Sequence, residues 1–385
     1  MPDAEKLAAV RDGLPAVGAG IYLNTPVSGP LPAETARAMA DIADWELATG
    51  RAHRDREDDV AVRIDEARAG LAAVLGADVN SVVLTHGVDD AFRRATQATD
   101  WRPGDRALAI LAGRSAASVA IRPAVPGVEV DAVEVPVEPD SSDDLELLAA
   151  VQAAIRPATR LVACPHVSAS GRLIPLTQLA AIAHETGAVL VVDGSQAAGA
   201  IPVSVDDLGA DIYIVPASTW LLGPEGIGGM AVRKEILPRV PGGAPRAGEF
   251  HVPSVVGLAR SCGWLSMYVG LDWIFARSAA LAAVARSRLA AIPGVQLLTP
   301  DPGASPTTAF RIGGWDALSA LEELGARVFA LASVLGDANA LRIGTGFFNT
   351  EDELDRFATA VELLATHTPD SLPPRRQLTI IGGDR

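Results

Sequence analysis

The sequence predicts an α/β protein with a mostly parallel sheet, helices on both faces, and a smaller α+β domain after it. Three observations carry this. From about residue 60, helical periodicity alternates with short apolar runs, the pattern of βαβ units. Runs such as "VLVVD" show no polar alternation, so their strands are buried on both faces. Beyond Pro253 the text changes to long helices, then short strands and a last helix, "TEDELDRFATAVELLA". The division expected is an N-terminal arm (1–20), a large α/β domain (21–252), a small α+β domain (253–366) and a tail (367–385).

The elements follow in order. "ARAGLAAVLGA" is an amphipathic helix ended by Gly76, and "SVVLTHG" a buried strand running into a turn. "RPGDRALAILAG" and "VEVDAVEVPV" give two more strands. "SSDDLELLAAVQAAI" is a helix N-capped by Ser142, with acids in its first turn. "TRLVACPHVSASG" is strand plus loop; "PLTQLAAIAHETGA" is a helix closed by Gly187. "VLVVDGSQAAG" delivers Asp193 at a strand's C-terminal end, and "ADIYIVPAS" and "IGGMAVR" complete the sheet. "LPRVPGGAPRAGEF" reads as a loop, "THTPDSLPPRRQ" as a mobile linker, and "LTIIGG" as an added edge strand.

Composition narrows the function classes. The 385 residues carry a formal net charge of -15 and are 49% hydrophobic, enough for a sizeable core. No Lys/Arg run tracks a phosphate backbone, so neither nucleic acid nor an anionic membrane is an expected partner. No uncharged stretch spans a bilayer and the N-terminus is not a signal peptide. Two distant cysteines, Cys164 and Cys262, fit a reducing cytoplasm, and the six histidines form no metal cluster. Lys6 and Lys234 are the only lysines.

Several motifs stand in a fixed order: "IYLNTPVSGPLP", "VVDGSQAAGAIPV", "WLLGPEGIGG", "HVPSVVGL" and "LRIGTGFFNTEDE". With these, the chain resembles the class V aminotransferase/cysteine desulfurase family, on the isopenicillin N epimerase-like branch. The resemblance implies fold type I of the pyridoxal-phosphate (PLP) enzymes, with a seven-stranded-type sheet. It also implies a small-molecule substrate and a homodimer, in which "GEFHVP" reaches the neighbouring subunit's cleft.

The resemblance also exposes departures. Thr219 stands where the family has its Schiff-base lysine, Ser218 where a histidine precedes it, and Pro216 where a phosphate-binding serine lies. Asp89 and Glu249 replace two phosphate-binding threonines, and Arg114 aligns with the ring that stacks on the pyridine. A carboxylate about 4 Å from one phosphate charge costs roughly 4 kcal/mol at an effective dielectric near 20. Two family features remain: Asp193 as partner of the pyridine nitrogen, and Gln196 near the ring hydroxyl. Arg342 matches the arginine that grips a substrate carboxylate. Asp193 can equally cap backbone at a strand end, and Arg342 can form a structural ion pair. His166 ends a strand on the cleft side, either as a substrate contact or as a hydrogen-bonded core histidine, and His86, beside Asp89, is an acid/base candidate.

Three readings follow. The first is an enzyme without any cofactor, using Asp89, Asp193, Glu249, His86 and Thr219 for acid/base work on an amine-bearing or zwitterionic small molecule. Arg114, His166, Gln196, Ser218 and Arg342 would bind that substrate, for a cyclisation, isomerisation, elimination or hydrolysis in specialised metabolite biosynthesis. The second is a non-catalytic protein, or a subunit paired in a heterodimer with an active homologue. The third keeps PLP or pyridoxamine phosphate (PMP), bound noncovalently.

Overall fold

The computed structural model describes residues 3–112, 127–137, 143–241, 248–300 and 305–375. Its centre is a seven-stranded sheet: β2 (Val82–Thr85), β3 (Arg106–Leu111), β4 (Glu129–Glu134), β5 (Thr159–Pro165), β6 (Val189–Asp193), β7 (Ile212–Pro216) and β8 (Gly228–Val232). The spatial order is β2-β8-β7-β6-β5-β3-β4. β8 is antiparallel to both its neighbours, and every other pairing is parallel. β2 and β7 therefore run the same way, and the C-terminal ends of β2, β3, β5, β6 and β7 collect on one edge. Register makes this concrete: Thr85, Gly228 and Pro216 share one row, while Pro165, Asp193 and Ile214 share the next.

The unbroken apolar runs are explained by burial on both sides. Val162, Cys164, Leu190 and Val192 point into one core, and Leu161, Ala163, Val189 and Val191 into the other. The first core is covered by α3 (Arg56–Leu75), α5 (Asp144–Ala154), α6 (Leu176–Glu185) and α8 (Val252–Gly263), and α4 (Val88–Gln97) covers the second. Helix α1 (Asp3–Asp12) adds Val10 to the first core, and α2 (Ala33–Thr49) packs on α8. A four-residue α7 (Val205–Leu208) links β6 to β7. Gly76 ends α3 in the left-handed conformation, φ 58°. The cap of α5 is Asp143 rather than Ser142: its carboxylate accepts from the Leu145 amide at 2.9 Å.

After α8 the chain passes through a π-turn (Trp264–Val269) and Gly270 into α9 (Leu271–Ala290), bending by 82°. The core changes along α9: Ile274 still belongs to the large layer, whereas Leu281 and Leu289 belong to the small one. That second layer is an antiparallel sheet ordered β12-β13-β10-β9. Its strands are β9 (Val295–Leu297), β10 (Thr307–Ile312), β12 (Ser333–Leu335) and β13 (Ala340–Gly344), backed by α9, α10 (Ala317–Val328) and α11 (Glu351–Ala365). Thr350 and Glu353 form a capping box on α11. A separate parallel pair joins β1 (Ile21–Tyr22) to β11 (Ala330–Leu331). The segment expected to be a linker is docked as far as Arg375: Arg375 pairs with Glu323, and Arg327 donates to the Pro373 carbonyl. "LTIIGG" lies outside the described residues. No single helix among the described residues is long and apolar enough to cross a membrane.

Candidate functional site

Where the parallel strands end, a cavity of about 250 Å³ opens, with Asp193, Ser195, Gln196 and Arg342 among its walls. Asp193 is the last residue of β6 and almost fully buried. Its Oδ1 accepts the amide of Ser195 at 2.9 Å and, more closely, the Ser195 hydroxyl. Gly194 makes the turn possible, because a Cβ there would lie 2.2 Å from the Tyr213 ring. Gln196 donates through Nε2 to the Pro26 carbonyl at 2.8 Å, while its Oε1 is buried without a partner. Arg342 comes from β13 of the small layer. Its Nε donates to Ser333 Oγ at 3.1 Å, and burial pushes the guanidinium down to about 10, so it stays charged at neutral pH. Among the described residues no carboxylate lies within ion-pair distance of it, so the structural ion pair is not formed.

Thr219 sits one layer behind this wall. It is buried, and its Oγ1 donates to the Ser195 carbonyl at 2.9 Å. The turn that carries it is tight: Gly223 N donates to Ala217 O at 2.7 Å, and Leu222 adopts φ 52°, a strained value for leucine. Ser218 holds the leader segment through its carbonyl, which accepts from Gly29 N at 2.7 Å. The lysines are elsewhere: Lys6 Nζ lies 4.5 Å from the Trp273 ring centroid, and Lys234 is exposed just beyond β8.

His166 does not line the cavity. It is buried, its Nδ1 2.7 Å from the Tyr213 hydroxyl, and burial pushes it down to about 4. Burial, then the Asp193 charge, push the Tyr213 phenol far up, so this pair is neutral at physiological pH. Of the two roles expected for His166, the contact of its Nδ1 with the tyrosine fits the hydrogen-bonded core histidine.

His86, Asp89 and Glu249 form a second group, beyond β2. His86 stacks on Phe250 with centroids 4.5 Å apart, and its Nε2 lies 2.8 Å from the Glu249 carbonyl. Asp90 is neutralised by Arg93 and Arg94, whereas Asp89 is exposed and has no ion pair among the described residues. Glu249 is also exposed. β2 and β6 are three strand spacings apart, about 14 Å, and these acids are not among the residues that line the Asp193 cavity. Arg114 lies outside the described residues. Among the described residues no group of three or more His, Cys, Asp or Glu could hold a metal.

Sequence reasoning passed over Pro26, Val27 and Ser333, and set Ser195 aside because "DGSQ" is not a nucleophile elbow. Only Ser195 left a signal, since a serine two residues after a strand-end aspartate favours an Asx-type turn.

The aminotransferase class-V family model matches residues 21–357. The chain belongs to that family. This class-V chain is 30% identical to isopenicillin N epimerase of Streptomyces clavuligerus over 394 residues, 89% of this chain and 94% of the relative. It is 27% identical to the cysteine desulfurase CsdA of Escherichia coli K12, covering 92% and 96%. Among solved structures, CsdA aligns with TM-score 0.78 at 25% identity, covering 92% of this chain and 97% of CsdA. A lysine-to-alanine mutant of C-DES, with glycine covalently linked to its PLP cofactor, aligns at 0.83 with 18% identity, covering 91% and 98%. The relatives named are enzymes, and the fold is that of the fold type I PLP proteins.

These findings correct the expectation of a cleft with no cofactor. A structural neighbour carries PLP, and the family includes cysteine desulfurases, which points to PLP rather than to none. Repulsion is too weak to exclude a cofactor: Asp89 and Glu249 are exposed, so a charge about 4 Å away costs between about 1 kcal/mol in water and about 4 kcal/mol at a protein surface. The ring end of the cavity does fit such a group. Asp193 would meet a pyridine nitrogen, and the orphaned Gln196 Oε1 would accept from a ring hydroxyl.

Proposed function

We propose that this class-V protein is an enzyme that binds PLP or PMP noncovalently and acts on an amine-bearing carboxylate. One observation carries the reading: the partnerless Gln196 Oε1, Asp193 and the charged Arg342, which has no ion-pair partner among the described residues, face a single cavity. The cofactor, when bound, supplies an electron sink for charge developing at the substrate's α-carbon. Asp193 keeps a proton on the ring nitrogen, and Ser195 fixes that carboxylate's orientation through two hydrogen bonds. Arg342 anchors the substrate carboxylate by charge-assisted hydrogen bonds. Thr219 takes the place of the Schiff-base lysine, and its hydroxyl, held on the Ser195 carbonyl, supports the floor of the cavity. The C-DES mutant supports noncovalent retention, since PLP remains on this fold after a lysine is replaced by alanine. A homodimer belongs to the same reading, with the segment around Glu249 facing a neighbouring subunit.

Titration of the purified protein with PLP and PMP, followed by thermal shift and absorbance, tests this. Saturable binding is expected. The cofactor should leave intact on denaturation, and borohydride should fix no adduct on residues 213–229. Absence of binding for both compounds, with and without an amino acid, refutes the reading.

A further inference from the structure

A smaller cavity, about 120 Å³, adjoins the first, and Ala169 and Arg342 line both. Its other walls come from two layers. Val137 follows β4 of the large sheet, while Val334 and Leu335 belong to β12, and Ala338 to the 3-10 turn after it. A pocket between layers is a common place for a ligand. This one presents a charged guanidinium at one end and mostly aliphatic surface along the rest, with Asp337 as its acid. Arg342 Nε is committed to Ser333, and among the described residues no carboxylate forms an ion pair with its remaining nitrogens. The turn is a firm wall: the side chain of Asn339, at φ 46°, accepts from the Ala317 amide at 2.8 Å.

We propose that this cavity is a side-chain subsite selecting an α-amino acid with a short, branched aliphatic side chain, of the valine or leucine kind. The proposal rests on the reading of Arg342 as carboxylate anchor. Size sets the upper limit, because an apolar cavity of about 150 Å³ takes one benzene. At about 120 Å³ there is room for three or four carbons and none for an indole. Charge sets the other limit: the acid among the lining residues is Asp337, exposed on the turn, which repels a glutamate or aspartate side chain.

Calorimetric titration with L-leucine, glycine, L-glutamate and leucinamide tests this, on the full chain with and without PMP. L-Leucine should bind at least tenfold more tightly than glycine or L-glutamate. Leucinamide, lacking the carboxylate, should bind weakly. Ala338→Leu fills the cavity and should erase the leucine preference while leaving glycine affinity in place. Val137→Ser, a milder change, should reduce the preference without filling the space. A leucine preference that disappears in Ala338→Leu upholds the subsite even if PMP fails to bind, and the cofactor reading alone then falls. Leucine and glycine binding within about twofold of each other overturns the subsite, as does no leucine binding in either state. Retention of the full preference in both variants also overturns it.

Discussion

Replacing Asp89 by asparagine should tighten binding of PLP and PMP. Asp89 lies in the first turn of α4, exposed and without an ion pair among the described residues, while Asp90 beside it is already neutralised by two arginines. The Asp89 charge is therefore the one that acts on an anion approaching this helix start. Unit charges about 4 Å apart in water interact by about 1 kcal/mol. A phosphate carrying about 1.5 to 2 negative charges raises that to roughly 2 kcal/mol. Doubling the distance halves it, so the gain should lie between about fivefold and thirtyfold in affinity at low salt. The gain should shrink as salt rises, since the Debye length falls to about 8 Å at physiological ionic strength. The assay is equilibrium titration at two salt concentrations, comparing PMP with unphosphorylated pyridoxamine. The variant loses an acid from a helix N-terminus, costing about 0.3–1 kcal/mol of stability, so the fold survives. Equal affinities in variant and parent refute the reasoning, as does an equal gain for pyridoxamine, because the effect would then not depend on phosphate.

Arg342→Gln should weaken carboxylate ligands by tenfold or more and leave PMP affinity within about twofold, as read by calorimetry. Ser333→Ala should produce a smaller loss of the same kind, because it frees the Nε hydrogen bond that orients the guanidinium. His166 gives a pH dependence: its value falls from an ordinary 6.5 to about 4 in the folded protein. The unfolded chain then binds more protons between these values, so stability is complete above about pH 6.5 and drops by roughly 3 kcal/mol towards pH 4. Denaturant melts across that range should show the slope, and His166→Gln should flatten it. Tyr213→Phe leaves the His166 ring nitrogen buried without its partner and should cost about 1–3 kcal/mol, measured by the same melts.

The sheet was legible because strands such as "VLVVD" are buried on both faces, which leaves no polar alternation to misread. The packing of α8 onto the large layer was less legible, since an apolar helix does not reveal which core receives it. At the site, Asp193, Gln196 and Arg342 could be placed because their neighbours form recognisable motifs. Their convergence on one cavity depends on β6 and β13, far apart in the chain. Burial decided the rest. Exposure of Asp89 changed its energetic weight, and the contact between His166 and Tyr213 removed a candidate that the strand-end position had favoured.

The pairing of β1 with β11 has a mechanical consequence. Residues 21–24 are stitched to the small layer through Leu331 and Gly344, and the next few residues are stitched to the large one. There Gln196 holds the Pro26 carbonyl, and Gly29 meets the turn at Ser218. A rotation of the small layer towards the cleft cannot occur alone. It pulls a strap of under ten residues whose other end is held by Gln196 and by the turn at Ser218. Both ends of that linkage are tight, because a Cβ at Gly29 would lie 2.2 Å from the Thr219 carbonyl oxygen and one at Gly344 would strike Pro26 at 2.3 Å. Lengthening the strap would uncouple the two layers without altering a single side chain that touches ligand.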